Sequence, residues 1–330
     1  MIRLRLTAIT AATAAMALFL AACGTTEEQP PAGGDAPVAS SGPVTFTDGR
    51  DKTVTLDKPA SRVVALEWGE AEILVSLGVM PAGVADVKGY ATWVTSAPLT
   101  ADVKDLGTRG EPSVDAIVAL QPDLVVMEAE RDAPLVGQLE KFVPVMVTKG
   151  TDATRNLDRM REDVEMIATA VGKNAEGDQL LADFDAALTA GREKIAGAGA
   201  AGQYYAMADG WMEGSTVNIR MFGQGALVSQ VAIGLGLKNA WDGEVDPQWG
   251  LGQTDVEGLT AMKEENPRFF YNASDGTDVF TDGLGTNAIW KAQPFVAENK
   301  VHKLPDGIWT FGGPKSCMQY IDALVATYAG

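Results

Sequence analysis

The stretch spanning residues 154–195 constrains the fold more than any other. It carries two long helical segments, 154–171 and 174–195, parted only at Gly172, with no strand signal between them. On either side the texture changes. Val63-Val-Ala-Leu is a short apolar run suited to a strand buried on both faces. Helical spacing over 70–77, closed by Gly78, leads to a second strand at 79–85, and the unit repeats as helix 113–120, strand 124–127, helix 135–142 and strand 143–147. Beyond the small-residue stretch 197–202 come strand 203–208, helices 225–236 and 259–265, strands 269–273 and 301–304, and a final helix 316–328. Such alternation implies mostly parallel sheets covered by helices. The expected fold class is therefore α/β: two lobes, each with a mostly parallel sheet flanked by helices, joined by a long connecting helix. The boundaries fall at 44–173, 174–196 and 197–330. A single large α/β domain with a helical insert is the competing reading. Val44-Thr-Phe-Thr and Thr53-Val-Thr-Leu, either side of Asp48-Gly49, form a hairpin signature.

The N-terminal residues bear on compartment. Arg3 and Arg5 precede an uncharged apolar run over residues 7–20, followed by Leu20-Ala-Ala-Cys23. A run of about 14 residues falls short of the ~20 a spanning helix needs, and it reads as a signal peptide over residues 1–22. Leu-Ala-Ala-Cys resembles the bacterial lipobox, which makes Cys23 the lipidated N-terminus of the mature chain; an ordinary signal peptide with an incidental cysteine is the alternative. Residues 23–43, rich in Gly, Pro and polar side chains, then form a flexible tether. Removing residues 1–22 takes two arginines and no acid, so the formal charge moves from −18 to −20. A chain this acidic is repelled by nucleic acid. With Cys23 lipidated, Cys317 has no partner for a disulfide, and its place in an apolar-periodic segment suits a buried small hydrophobe.

Catalytic signatures are missing. His302 is the one histidine, inside an expected strand, and no G-x-S-x-G, Walker loop, C-x-x-C or H-E-x-x-H occurs. Carboxylates are numerous, but no pair stands out as a hydrolase couple. The tryptophans are the unusual feature. Trp93, Trp211, Trp241, Trp249 and Trp309 all lie in Gly-, Pro- or polar-rich surroundings rather than in periodic apolar segments. Loops at the carboxyl ends of strands line the ligand crevice of α/β sheets, and aromatic side chains there give contact area at low entropic cost. The alternative is that each plugs a lobe edge.

Arg62-Val-Val-Ala-Leu-Glu-Trp-Gly-Glu-Ala-Glu-Ile-Leu, Leu77-Gly-Val-Met-Pro-Ala-Gly-Val-Ala-Asp86, Leu106-Gly-Thr-Arg-Gly-Glu-Pro112 and Gln121-Pro-Asp-Leu-Val-Val126 resemble the siderophore-binding proteins of iron ABC importers, nearest to the ferric-hydroxamate binders. Asn239-Ala-Trp-Asp-Gly-Glu244, Trp290-Lys-Ala-Gln-Pro-Phe-Val296 and Trp309-Thr-Phe-Gly-Gly extend the likeness over nearly the whole folded body. The resemblance implies a class III periplasmic-binding-protein-like fold and a lipoprotein anchored outside the cytoplasm, at the cell surface or in the periplasm. It implies a binding protein, not an enzyme, that captures a ferric siderophore and delivers it to a permease and ATPase; with no oligomerisation signature in the sequence, a monomer is expected. It implies no cofactor and no protein ligand to iron, since ferric ion is already saturated by the siderophore's oxygens. The ligand contacts it implies are Trp93, Arg109, Trp241, Trp249, Trp309 and Phe311. A salt bridge from Arg109 to Glu111 or another acid is the plainer role for that residue. Glu128-Ala-Glu-Arg131-Asp stands where relatives place a tyrosine, so Arg131 is either a second cationic donor or a solvent-facing side chain. The resemblance also implies permease docking through Asp115 and Glu257, for which helix N-terminal stabilisation competes. Another bulky chelate (haem, a corrinoid or a catecholate) is the alternative ligand, and a cell-envelope hydrolase the alternative class.

Overall fold

The computed structural model describes residues 42–129, 133–263 and 265–330. The signal peptide, Cys23, most of the tether and Arg131 lie outside the described residues. The expected hairpin is present as β1 (Val44–Thr47) paired antiparallel with β2 (Thr53–Leu56).

The first α/β run comprises β3 (Val63–Ala65), α1 (Trp68–Ser76), β4 (Gly83–Val84), α2 (Val87–Trp93), β5 (Lys104–Asp105), α3 (Val114–Ala119), β6 (Leu124–Glu128), α4 (Ala133–Leu139) and β7 (Val145–Thr148). Its five strands lie in the order β5-β4-β3-β6-β7, every pairing parallel. Two helices follow, α5 (Asn156–Ala170) and the 24-residue α6 (Asn174–Gly197). Gly172, at φ +68°, makes the break between them.

The second run comprises β8 (Tyr204–Glu213), β9 (Thr216–Phe222), α7 (Leu227–Gly234), β10 (Lys238–Asn239), β11 (Leu251–Thr254), β12 (Arg268–Tyr271), α8 (Ala288–Lys291), α9 (Pro294–Ala297), β13 (Val301–Lys303) and α10 (Pro314–Ala329). Here β8 pairs in parallel with β10 and β12, and β12 with β13. The departure from the sequence reading is an antiparallel ribbon: β8 runs on to Glu213, turns through Gly214 and returns as β9, which β11 then joins. Trp211, expected in a loop, is in this ribbon, and the expected helix at 259–265 is a short 3₁₀ turn over Gly258–Met262.

The alternating burial of these strands explains their continuous apolar runs. Val63, Ala65, Leu124 and Val126 face one hydrophobic cluster, while Val64, Leu66, Val125 and Met127 face a second on the outer side of the sheet. In the other sheet, Tyr205, Met207 and Phe270 face the first cluster, and Ala206, Ala208, Phe269 and Tyr271 a third. Side chains that alternate in direction thus require both faces to be apolar. The first cluster also takes Val164 and Ile167 of α5 and Phe184 and Leu188 of α6, so one continuous core joins the two sheets through the helical connector. The described residues form a single compact unit around it. Cys317 is buried in α10, where burial pushes its thiol pKa up and keeps it inert. Among the described residues no helix is long and apolar enough to cross a membrane.

Candidate functional site

In the first sheet the connections reverse direction between β3 and β6: β4 and β5 are laid down on one side, β6 and β7 on the other. The carboxyl ends of strands at such a switch point open into a crevice, because the following loops part to opposite faces. Glu67 and Gly69 follow β3, and Glu128 ends β6. All three line a cavity of about 470 Å³, open to solvent, whose other wall comes from β9, β11 and the loop before α10.

Arg109 enters this cavity from the loop after β5, which an isolated antiparallel bridge between Gly107 and Pro112 closes on itself. Its Nη1 donates to Glu67 Oε2 at 3.0 Å, and its Cζ lies 3.9 Å from the Trp68 ring centroid. Trp68 is buried and fixed by its own Nε1 donating to the Ala85 carbonyl at 3.1 Å. The salt bridge anticipated for Arg109 therefore exists, but with Glu67 rather than Glu111. Ion pair and stacking together hold the guanidinium in one orientation with donors left over.

Trp309 continues the wall, with ring centroids 4.9 Å from Trp68, 6.0 Å from Trp93 and 5.2 Å from Phe311. Phe311 in turn meets Trp249 at 5.3 Å and Phe222 at 5.5 Å. Trp249 is presented by a turn organised around Asp246, whose carboxylate accepts from the backbone N–H of Gln248, Trp249 and Leu251. The aromatic chain ends at Arg220, whose Cζ is 5.1 Å from the Phe311 ring and whose Nε and Nη2 donate to Asp209 across the β8–β9 ribbon. Two ion-paired guanidiniums, one from each sheet region, thus bracket a run of aromatic rings.

The loop carrying Trp309 and Phe311 is held from both sides. Thr95 N–H and Oγ1 both donate to the Gly307 carbonyl at 3.0 Å, and Asn272 Nδ2 donates to the Ile308 carbonyl at 2.8 Å. Glu72, fully buried in α1, accepts from Ser316 N–H at 2.9 Å and Ser316 Oγ at 2.6 Å in the first turn of α10. This contact explains Gly312-Gly313: a Cβ at Gly312 would stand 2.4 Å from Glu72 Oε2. Burial pushes the Glu72 carboxyl above the usual carboxylate range despite these donors.

The structure brings Arg109, Trp249, Trp309 and Phe311 together on the cavity wall, with Trp93 behind Trp309. Trp241 is not among them: it is buried in the third hydrophobic cluster, its ring against Gly243 and Gly252. His302 lies outside the cavity, tilted against Phe270 at 5.3 Å. Asp115, in the first turn of α3, and Glu257, just before the 3₁₀ turn, are exposed. Sequence reading missed Arg220 and Asp163, both in the lining. Each broke a pattern. Arg220 interrupts an apolar strand run between Ile219 and Met221, and Asp163 sits three residues after Met160 and four before Ile167, on the apolar stripe of α5.

A family model described as "Periplasmic binding protein" matches residues 63–307, most of the folded body. The chain belongs to the periplasmic binding protein family. This binding protein is 26% identical over 264 residues to the iron(3+)-hydroxamate-binding protein FhuD of Escherichia coli (strain K12), covering 80% of this chain and 86% of that one. It is 24% identical over 277 residues to the Fe(3+)-citrate-binding protein YfmC of Bacillus subtilis (strain 168), covering 82% and 81%. Among solved structures, the Fe3+-Desferal-bound siderophore-binding protein FhuD from Vibrio cholerae superposes with a TM-score of 0.70 at 23% identity, covering 82% of this chain and 98% of that one. That likeness is one of fold.

Proposed function

We propose that the protein captures a ferric siderophore of the hydroxamate type in this cavity and delivers it to an ABC permease, without catalysis. The observation that carries the reading is the wall itself: Trp249, Phe311, Trp309 and Trp68 run between Arg109 and Arg220 in an open cleft. Its volume is within the range of about 300–1,000 Å³ usual for small-molecule sites. Guanidinium N–H groups donate charge-assisted hydrogen bonds to iron-bound oxygens, and indole faces cover the apolar linkers of the chelator. Among the described residues no three His, Cys, Asp or Glu side chains are grouped to hold a metal ion. Such a wall suits a complex that arrives with its iron already coordinated. The names of the relatives support the same class of cargo.

Titrating intrinsic tryptophan fluorescence tests this. Ferrichrome or a ferrioxamine is expected to quench the emission with a Kd of about 1 μM or tighter, roughly −8 kcal/mol. Quenching by haem, cobalamin or a ferric catecholate but by neither hydroxamate would replace the ligand assignment.

Cys23 is the proposed lipid anchor. Asp115 and Glu257 are the proposed docking points for the permease, their carboxylates exposed beside helix starts. Reversing both, with Asp115→Lys and Glu257→Lys, is expected to leave chelate affinity unchanged. Uptake should fall at least about tenfold, because docking loses two charge pairs. Normal uptake by the double variant would remove the docking role.

A further inference from the structure

Asp163 is a carboxyl group without a use in what has been described. It projects from α5 into the cavity wall; its Oδ1 is sealed from solvent and no hydrogen-bond donor reaches it. Native interiors seldom leave a polar atom in this condition, since the desolvation is uncompensated. Burial, and then the neighbouring Glu70 charge, push its pKa well above the usual carboxylate range, opposed in part by Arg159. Arg159 pairs with Glu162 through Nη1, and its buried Nε makes no hydrogen bond to Asp163 or any other acceptor.

The other charges of the cavity narrow what Asp163 can serve. The two arginines in the described lining already face acids, Arg109 against Glu67 and Arg220 against Asp209. Glu70 lies in the same wall and accepts from Thr148 Oγ1 at 2.6 Å. An anion entering beside Asp163 would therefore meet carboxylates, and an apolar group would leave Oδ1 as it is. A positively charged group at the cavity-facing side of the carboxyl relieves the ionisation penalty, because it restores the charged form and donates to the group from the side a ligand can reach. Among the described residues the carboxylates do not converge three to a point. The fitting cation is therefore one borne on an organic arm rather than a bare metal ion.

We propose that the cavity recognises ferric chelates that carry a primary ammonium group, with Asp163 as the acceptor for that group. This rests on the siderophore reading above and names the class of chelate within it. Asp163 then acts in specificity: it discriminates between chelates that share one iron core and differ in an appended charge.

The test uses two ligands with the same iron-trishydroxamate core, ferrioxamine B with its free ammonium and its N-acetylated, uncharged form, against the wild type and Asp163→Asn. The wild type is expected to bind the ammonium form about tenfold more tightly, and the variant to bind both alike at the affinity of the acetylated form. Asparagine preserves shape and removes an ionisation penalty, so the variant should unfold at an equal or higher temperature. Equal wild-type affinity for the two ligands would overturn the inference, as would a preference that survives in Asp163→Asn. Failure of both ligands to bind the wild type would instead overturn the siderophore reading beneath it.

Discussion

Replacing Trp309 by alanine is expected to weaken capture of a ferric hydroxamate about a hundredfold, ~2.7 kcal/mol, while the chain remains folded. The size of the effect follows from position. Trp309 is the central ring of the wall, within 6.0 Å of Trp68, Trp93 and Phe311, and the Arg109 guanidinium lies 5.4 Å from its face. Removing the indole takes away ligand contact area. It also strips the apolar cover that keeps water from the Arg109 donors, so the charge-assisted bonds weaken with it. The loop itself should persist, because Thr95, Asn272 and Glu72 hold the backbone on both sides of the side chain. Trp309→Phe keeps an aromatic face and should cost less than about tenfold. Calorimetric titration of the three proteins decides the matter. An affinity for Trp309→Ala within about threefold of wild type would show that the ring is not a ligand contact.

Glu72→Ala should cost about 3 kcal/mol of stability, a fall in thermal midpoint on the order of 8 °C. Its carboxyl is the acceptor for two groups of a completely buried serine, and truncation leaves the Ser316 N–H without a partner in a cavity the Gly312-Gly313 backbone cannot fill. Glu72→Gln should be far milder, since its amide carbonyl accepts from Ser316 N–H and its amide nitrogen donates to Oγ. The two variants differ further in pH dependence. The folded pKa of Glu72 is raised above its ordinary value of 4.5. Between those two values the unfolded chain has released the proton and the native state has kept it, so the wild type loses stability as pH rises through that window. The slope reaches up to about 1.4 kcal/mol per pH unit, and Glu72→Gln should remove it. Denaturant unfolding at several pH values measures both effects; a Gln variant with wild-type pH dependence would show that Glu72 is ionised in the native protein. Because Glu72 belongs to α1 and Ser316 to α10, the Ala variant should also loosen the loop that carries Trp309 and Phe311.

The elements of this protein were legible because each leaves a local pattern. Val63-Val-Ala-Leu and Leu124-Val-Val-Met are short apolar runs suited to strands with two covered faces, and the break at Gly172 separated α5 from α6 as expected. Of the cavity residues, Trp249 and Trp309 were legible because indoles sat where no helix or strand periodicity called for them, whereas Arg109 and Phe311 were picked out only by the resemblance to siderophore-binding proteins. Trp241 occurs in the same kind of sequence surroundings yet is core, since whether a loop indole faces a crevice or a sheet depends on which strand the loop follows. The ribbon of β8 and β9 was illegible for a related reason: its outer half leaves Trp211 and Met212 exposed, so the apolar alternation that marks a strand fades there.

Sequence alone determined the α/β alternation, the helical connector and the residue types available for binding, since these depend on neighbours a few positions away. The tertiary structure decided the rest: that Arg109 pairs with Glu67, 42 positions distant, that Glu72 closes on Ser316, 244 positions distant, and that Asp163 Oδ1 is left without a hydrogen bond. Those outcomes come from the packing of distant segments around one shared core. A carboxylate's role is set by which donors that packing brings to it, and nothing in the local chain records them.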